Sequence, residues 1–158
     1  MSDETPTVYR APLDPYGEPE RLMILPRRVE DGALLLVRRE AGHAPGLLST
    51  EPPHADEGLT EAVTRILRSR LDVQVVGALR VAEVRRPARM GQPRRGADGT
   101  GWLRAIAVDV SGEPHADPLL AGVEALSPAA ADAALATDLE RWVLADALAL
   151  FAGSSEAE

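Results

Sequence analysis

The chain has 158 residues, enough for one domain around one core and too few for two. Hydrophobic residues at 45% and charged residues at 27% exclude a disordered or fibrous protein, and aromatics at 3% require an aliphatic core. Zero cysteines exclude disulfides, thiolate metal sites and a cysteine nucleophile, and the net charge of −8 conceals a basic middle. Residues 64–104 hold ten arginines against Asp72, Glu83 and Asp98, an excess of seven positive charges that leaves −15 on the remainder. There is no lysine, which a GC-rich coding sequence explains as simply as a demand for guanidinium geometry. Apolar runs fall far short of the roughly 20 residues that cross a bilayer, and the N-terminus lacks the apolar segment of a secretory signal, so the expected location is the cytoplasm.

Residues 1–19 contain four prolines and no periodic apolar pattern, and are expected to form an extended arm before a domain spanning 20–153. Residues 21–25 and 33–37 read as two strands joined by a Glu30-Asp31-Gly32 turn. Residues 41–57 have the Gly, Pro, His and Ser/Thr composition of an irregular loop. From 59 to 71 the apolar residues stand at 59, 62, 63, 66, 67 and 71, which predicts an amphipathic helix. The valine-rich stretch 73–84 predicts a strand with a bulge at Gly77. A loop with four glycines and two prolines occupies 85–101, followed by a strand over 102–110 and a short edge strand over 123–126. Ser127-Pro128 is a helix start, an N-cap residue followed by proline at the first helical position. Asp138 is expected to cap a last helix with an apolar stripe of Leu139, Trp142, Val143, Ala147, Leu150 and Phe151, stopping at Gly153 before a polar tail over 154–158. The element order predicts an α+β domain with helices packed on a sheet.

Residues 32–39 (GALLLVRR) and 57–73 (EGLTEAVTRILRSRLDV) together resemble the Nudix family. Its signature is a glycine, five residues, a glutamate, seven residues, and then Arg-Glu-apolar-x-Glu-Glu-x-Gly-apolar. Glu57 and Arg65 take the first glutamate and the arginine, and Leu67 and Val73 take the two apolar positions. The departures fall on the chemistry: Glu51 replaces the opening glycine, Ile66, Ser69 and Arg70 replace the three helix carboxylates, and Asp72 replaces the later glycine. The resemblance implies an α/β/α sandwich with a mixed sheet between helices. It also implies hydrolysis of nucleoside diphosphate derivatives, with Mg²⁺ or Mn²⁺ neutralising the diphosphate and activating water. Hard cations need several oxygen ligands. Arg70 would instead repel a cation, by about 4 kcal/mol for unit charges 4 Å apart at an effective dielectric near 20, and about twice that for a divalent ion.

The expectation is therefore a Nudix-like domain with a degenerate catalytic helix and no cofactor. It would bind a phosphate-bearing anion or a partner without ordinary turnover, with Glu57 and Arg65 serving structure. Arg85, Arg86, Arg89, Arg94 and Arg95 are the candidate anion ligands, because guanidinium pairs clamp phosphates. Trp102 is the one stacking residue nearby, which weighs against nucleic acid. One alternative is a divergent pyrophosphohydrolase with Mg²⁺ or Mn²⁺ moved to Glu57 and Glu61, helped by Glu83. His54, Asp56, Glu57 and Glu61 do cluster at the helix start, although a helix N-terminus attracts carboxylates without any metal. A second alternative is a structural interaction module, for instance a homodimer. His43 and His115 have no ligand-like spacing.

Overall fold

A computed structural model describes residues 20–49, 57–83, 86–87 and 102–157. The expected arm over 1–19, His54, Asp56, Glu51, Arg85, Arg89, Arg94 and Arg95 lie outside the described residues. Among the described residues seven strands form one sheet: β1 (Glu20–Arg28), β2 (Leu34–Arg38), β3 (Leu48–Ser49), β4 (Gln74–Val81), β5 (Arg86–Pro87), β6 (Trp102–Ser111) and β7 (Gly122–Leu126). The helices are α1 (Leu59–Leu71), α2 (Pro128–Ala134) and α3 (Asp138–Ala157).

The sheet runs β4-β6-β1-β2-β7, with β3 added to β1 and β5 to β6. β1 and β6 are parallel over their whole length, from Glu20 opposite Trp102 to Arg28 opposite Val110, and the other pairings are antiparallel. A parallel pair at the centre of a sheet is covered on both faces and reads as a continuous apolar run. Leu22 to Leu25 and Ala105 to Val108 are such runs, and all eight residues are buried.

Alternation along these strands divides the core in two. Leu22, Ile24, Ile106, Val108 and Val110 face one side and pack with Val63, Ile66, Leu67 and Leu71 of α1. Met23, Leu25, Leu103, Ala105 and Ala107 face the other side, where α2 and α3 bring Ala131, Leu135, Val143, Leu144, Ala147 and Phe151. The result is the expected α/β/α sandwich around a mixed sheet.

Local chemistry accounts for most element boundaries. In the β1–β2 turn Gly32 adopts φ +76°, Asp31 Oδ1 accepts from the Ala33 N–H at 3.1 Å, and Gly32 N–H donates to the Arg28 carbonyl at 2.7 Å. Gly77, at φ +78°, lies where the β4–β6 register shifts between Val76 and Arg80, so the predicted bulge is present. Ser127 Oγ accepts from the Ala130 N–H and caps α2, with Pro128 at its start.

The last helix departs from expectation in three ways. Its cap is Thr137, whose Oγ1 accepts from the Glu140 N–H at 3.1 Å, while Asp138 instead accepts from Arg141 at 2.7 Å. Its buried face is Val143, Leu144, Ala147 and Phe151, which leaves Trp142 at the margin and 41% exposed. It also runs through Gly153 to Ala157. A glycine inside a helix costs only about 1 kcal/mol, too little to end one by itself. None of the helices, among the described residues, is long and apolar enough to cross a membrane.

Candidate functional site

The start of α1 is built by the two glutamates singled out in the sequence. Glu61 Oε1 turns back to accept from the Gly58 N–H at 3.0 Å, satisfying a donor that the first helical turn leaves open. Glu57 receives two bonds from Arg65, Nε to Oε2 at 2.8 Å and Nη2 to Oε1 at 3.1 Å. This fork-to-fork pair spans eight residues and ties the chain entering α1 to the middle of the helix. The Glu57 side chain is 13% exposed, so solvent does not dissolve the pair. Glu57 and Glu61 are thus both engaged in shaping the helix and its approach.

The three positions that lack carboxylates have separate fates. Ile66 is fully buried in the core between α1 and the sheet. Ser69 is exposed, and its hydroxyl donates to the Ile66 carbonyl at 3.4 Å. Arg70 Nη1 lies 3.0 Å from Asp117 Oδ2. Asp117 belongs to a segment that closes the end of the helix: its N–H donates to the Arg70 carbonyl at 3.0 Å, and the His115 N–H donates to the Leu71 carbonyl at 2.8 Å. Asp72, where the Nudix signature has glycine, takes the left-handed conformation at φ 59° and ψ 39° that ends the helix. An isoleucine, a serine and an ion-paired arginine do not make a donor set for a hard cation. Among the described residues no three His, Cys, Asp or Glu side chains come together in a way that could hold one. His43 lies 3.4 Å from Glu40 and His115 lies 3.3 Å from Asp72, both at exposed positions. Glu83 is exposed just beyond β4.

Of the arginine group over 85–95, Arg86 is described. It stands opposite Leu103 in the β5–β6 pairing, and its Nε and Nη2 each donate to the Asp146 carboxylate at 2.8 Å. Its guanidinium carbon is 5.6 Å from the centre of the Trp142 ring. The bond to Asp146 raises the Arg86 pKa further above its already high value. Arg86 therefore ties β5 to α3. Nothing local in the sequence marks Asp146 or gives Trp142 this role; their i, i+4 spacing on one helix face is the signal it holds.

No family model matches the sequence, and no curated protein matches it. Solved structures do. A Listeria monocytogenes protein assigned as a NUDIX hydrolase superposes with a TM-score of 0.60 over 82% of this chain and 91% of its own, at 13% identity. The chain has the Nudix fold. A Caenorhabditis elegans Ap4A hydrolase matches with a TM-score of 0.57 at 11% identity, covering 84% of this chain and 98% of that one. The NUDIX domain of Shewanella oneidensis NrtR, solved with ADP-ribose, matches with a TM-score of 0.55 at 16% identity, over 88% of each chain. Within this Nudix fold α1 is the helix whose sequence resembles the family signature, and it packs against the sheet through Ile66, Leu67 and Leu71.

Proposed function

We propose that this chain is a Nudix-fold domain of the cytoplasm that binds a phosphate-bearing, nucleotide-like anion and does not hydrolyse it in the usual metal-dependent way. The observation that carries the reading is the fate of α1: Ile66 is spent on the core, and Arg70 is neutralised by Asp117. Restoring a metal site there would require undoing both. Glu57 and Glu61, the residues a relocated metal would need, are held by Arg65 and by the Gly58 N–H. Arg85, Arg89, Arg94 and Arg95 are the proposed anion ligands, while Arg86, next to Arg85 in the sequence, is taken up by Asp146 of α3. The ADP-ribose complex of the NrtR NUDIX domain supports the choice of ligand class.

The test is a stabilisation and turnover screen against nucleoside diphosphate derivatives, run with Mg²⁺, Mn²⁺ and chelator in parallel. Stabilisation that chelator leaves unchanged, without product, and that weakens in an Arg94→Ala/Arg95→Ala variant, is the expected result. Metal-dependent turnover that vanishes in Glu57→Gln would overturn it in favour of a divergent pyrophosphohydrolase. Neither binding nor turnover would leave an interaction module, to be pursued through its oligomeric state.

A further inference from the structure

On the sheet face opposite α1, a groove of about 610 Å³ opens between the β1–β2 turn, the start of α2 and the last turns of α3. That volume lies in the range of small-molecule sites. Its walls divide by chemistry. Pro128, Leu148 and Phe151 form an apolar side, Val29 stands on the rim at 50% exposure, and Arg27 and Asp109 form the polar side.

Arg27 and Asp109 are direct neighbours across the parallel β1–β6 pair, and both point to this face. Arg27 Nε donates to Asp109 Oδ1 at 2.8 Å and Nη2 to Oδ2 at 3.4 Å. Its guanidinium carbon lies 4.0 Å from the centre of the Phe151 ring. The hydrogen bonds use two of its five N–H groups, and the side chain remains 36% exposed. Behind it, Arg80 approaches the same carboxylate at 3.8 Å and the same ring at 5.6 Å. Its Nη1 is buried without a hydrogen-bond partner among the described residues. Two guanidinium groups thus share one carboxylate, so this spot carries an excess positive charge on a chain whose net charge is −8.

We propose that this groove is a second ligand site, for a small organic anion with a flat apolar body and one carboxylate or phosphate. The flat body covers the apolar side formed by Leu148 and Pro128 beside Phe151. The anionic group takes the N–H donors that Asp109 leaves open on Arg27. The site shares no residue with α1 or with the arginine-rich segment, so it stands or falls independently of the proposed function.

Phenyl phosphate and benzoate are the probes, with inorganic phosphate and benzyl alcohol as single-feature controls, titrated into the full-length protein by calorimetry and ligand-observed NMR. Saturable binding of at least one aromatic anion is expected, with both controls roughly tenfold weaker or worse. Arg27→Gln should weaken the probe about tenfold or more. Val29 is an exposed rim residue, so Val29→Glu and Val29→Arg keep the fold while moving affinity in opposite directions, each by roughly fivefold. If Arg27→Gln lowers stability, the Val29 pair decides. Absence of aromatic-anion binding to the natural protein, or binding that the Val29 variants leave unchanged, overturns the proposal.

Discussion

Arg70, at a position where the Nudix signature carries a carboxylate, forms a 3.0 Å ion pair with Asp117 across 47 residues. The side chains are 24% and 18% exposed, so the pair is only partly screened. The same segment supplies backbone donors to the carbonyls of Arg70 and Leu71, so the ion pair helps hold the cover that closes α1. Asp117→Ala is expected to cost about 1–3 kcal/mol, the range for losing a charged hydrogen-bond partner. Urea unfolding of Asp117→Ala, Arg70→Ala and the double variant should show coupling of about 1 kcal/mol. Additive losses would mean that the pair itself contributes nothing.

Putting the missing glutamates back should separate burial from chemistry. Ile66 is fully buried, so Ile66→Glu places a carboxylate in the core without a partner. A loss of about 3 kcal/mol or more is expected, visible as a lower denaturant midpoint. Ser69 is exposed, and Ser69→Glu should change stability by no more than about 0.5 kcal/mol. Mg²⁺ should stabilise neither variant. Stabilisation of Ile66→Glu by Mg²⁺ would mean that the helix can still turn this position toward a cation.

At the end of α1, Asp72 sits in the left-handed region and places an acid at the negative end of the helix dipole. Asparagine tolerates the same backbone without the charge. Asp72→Asn is expected to gain roughly 0.3–1 kcal/mol, because the His115 contact it weakens is exposed on both sides. Asp72→Val should lose about 1–2 kcal/mol, since a β-branched residue resists this conformation. Thermal melts of the two variants test the opposite signs directly.

The β1–β2 turn predicts a pH dependence. The Arg28 guanidinium, and then the Ala33 N–H, hold the Asp31 carboxyl at a pKa of about 2, below its ordinary 3.8. Glu30 is lowered as well, first by its own backbone N–H and then by the Ser111 hydroxyl and the Gly112 N–H. A depressed carboxylate pKa favours the folded state above the unfolded value. The Asp31 contribution is therefore complete above about pH 4 and fades as the pH falls toward about 2. Carboxyl-resolved NMR titration should find Asp31 in that range in the natural protein and near its ordinary value in Arg28→Ala.

What the sequence determined by itself was mainly local. The spacing of apolar residues over 59–71 marked α1 at its observed ends, Gly77 marked the bulge, and Ser127-Pro128 marked the start of α2, because each depends on neighbours within a few residues. The signature around Glu57 and Arg65 was legible for the same reason, and so was the loss of its carboxylates. Thr137 and Asp138 have the same capping chemistry, so the sequence does not choose between them, and a helix stripe that includes Trp142 does not say where its centre meets the sheet. Only the tertiary structure decided the rest. The parallel pairing of β1 with β6 joins segments about eighty residues apart, and from it follow the Arg27–Asp109 neighbours and the groove beside them. Arg86 became an anchor through Asp146, sixty residues away, and Arg70 was neutralised through Asp117. Short-range patterns record what a residue does to its own backbone, whereas the partner of a charge depends on which strands become neighbours, and that is settled by burying the whole core at once.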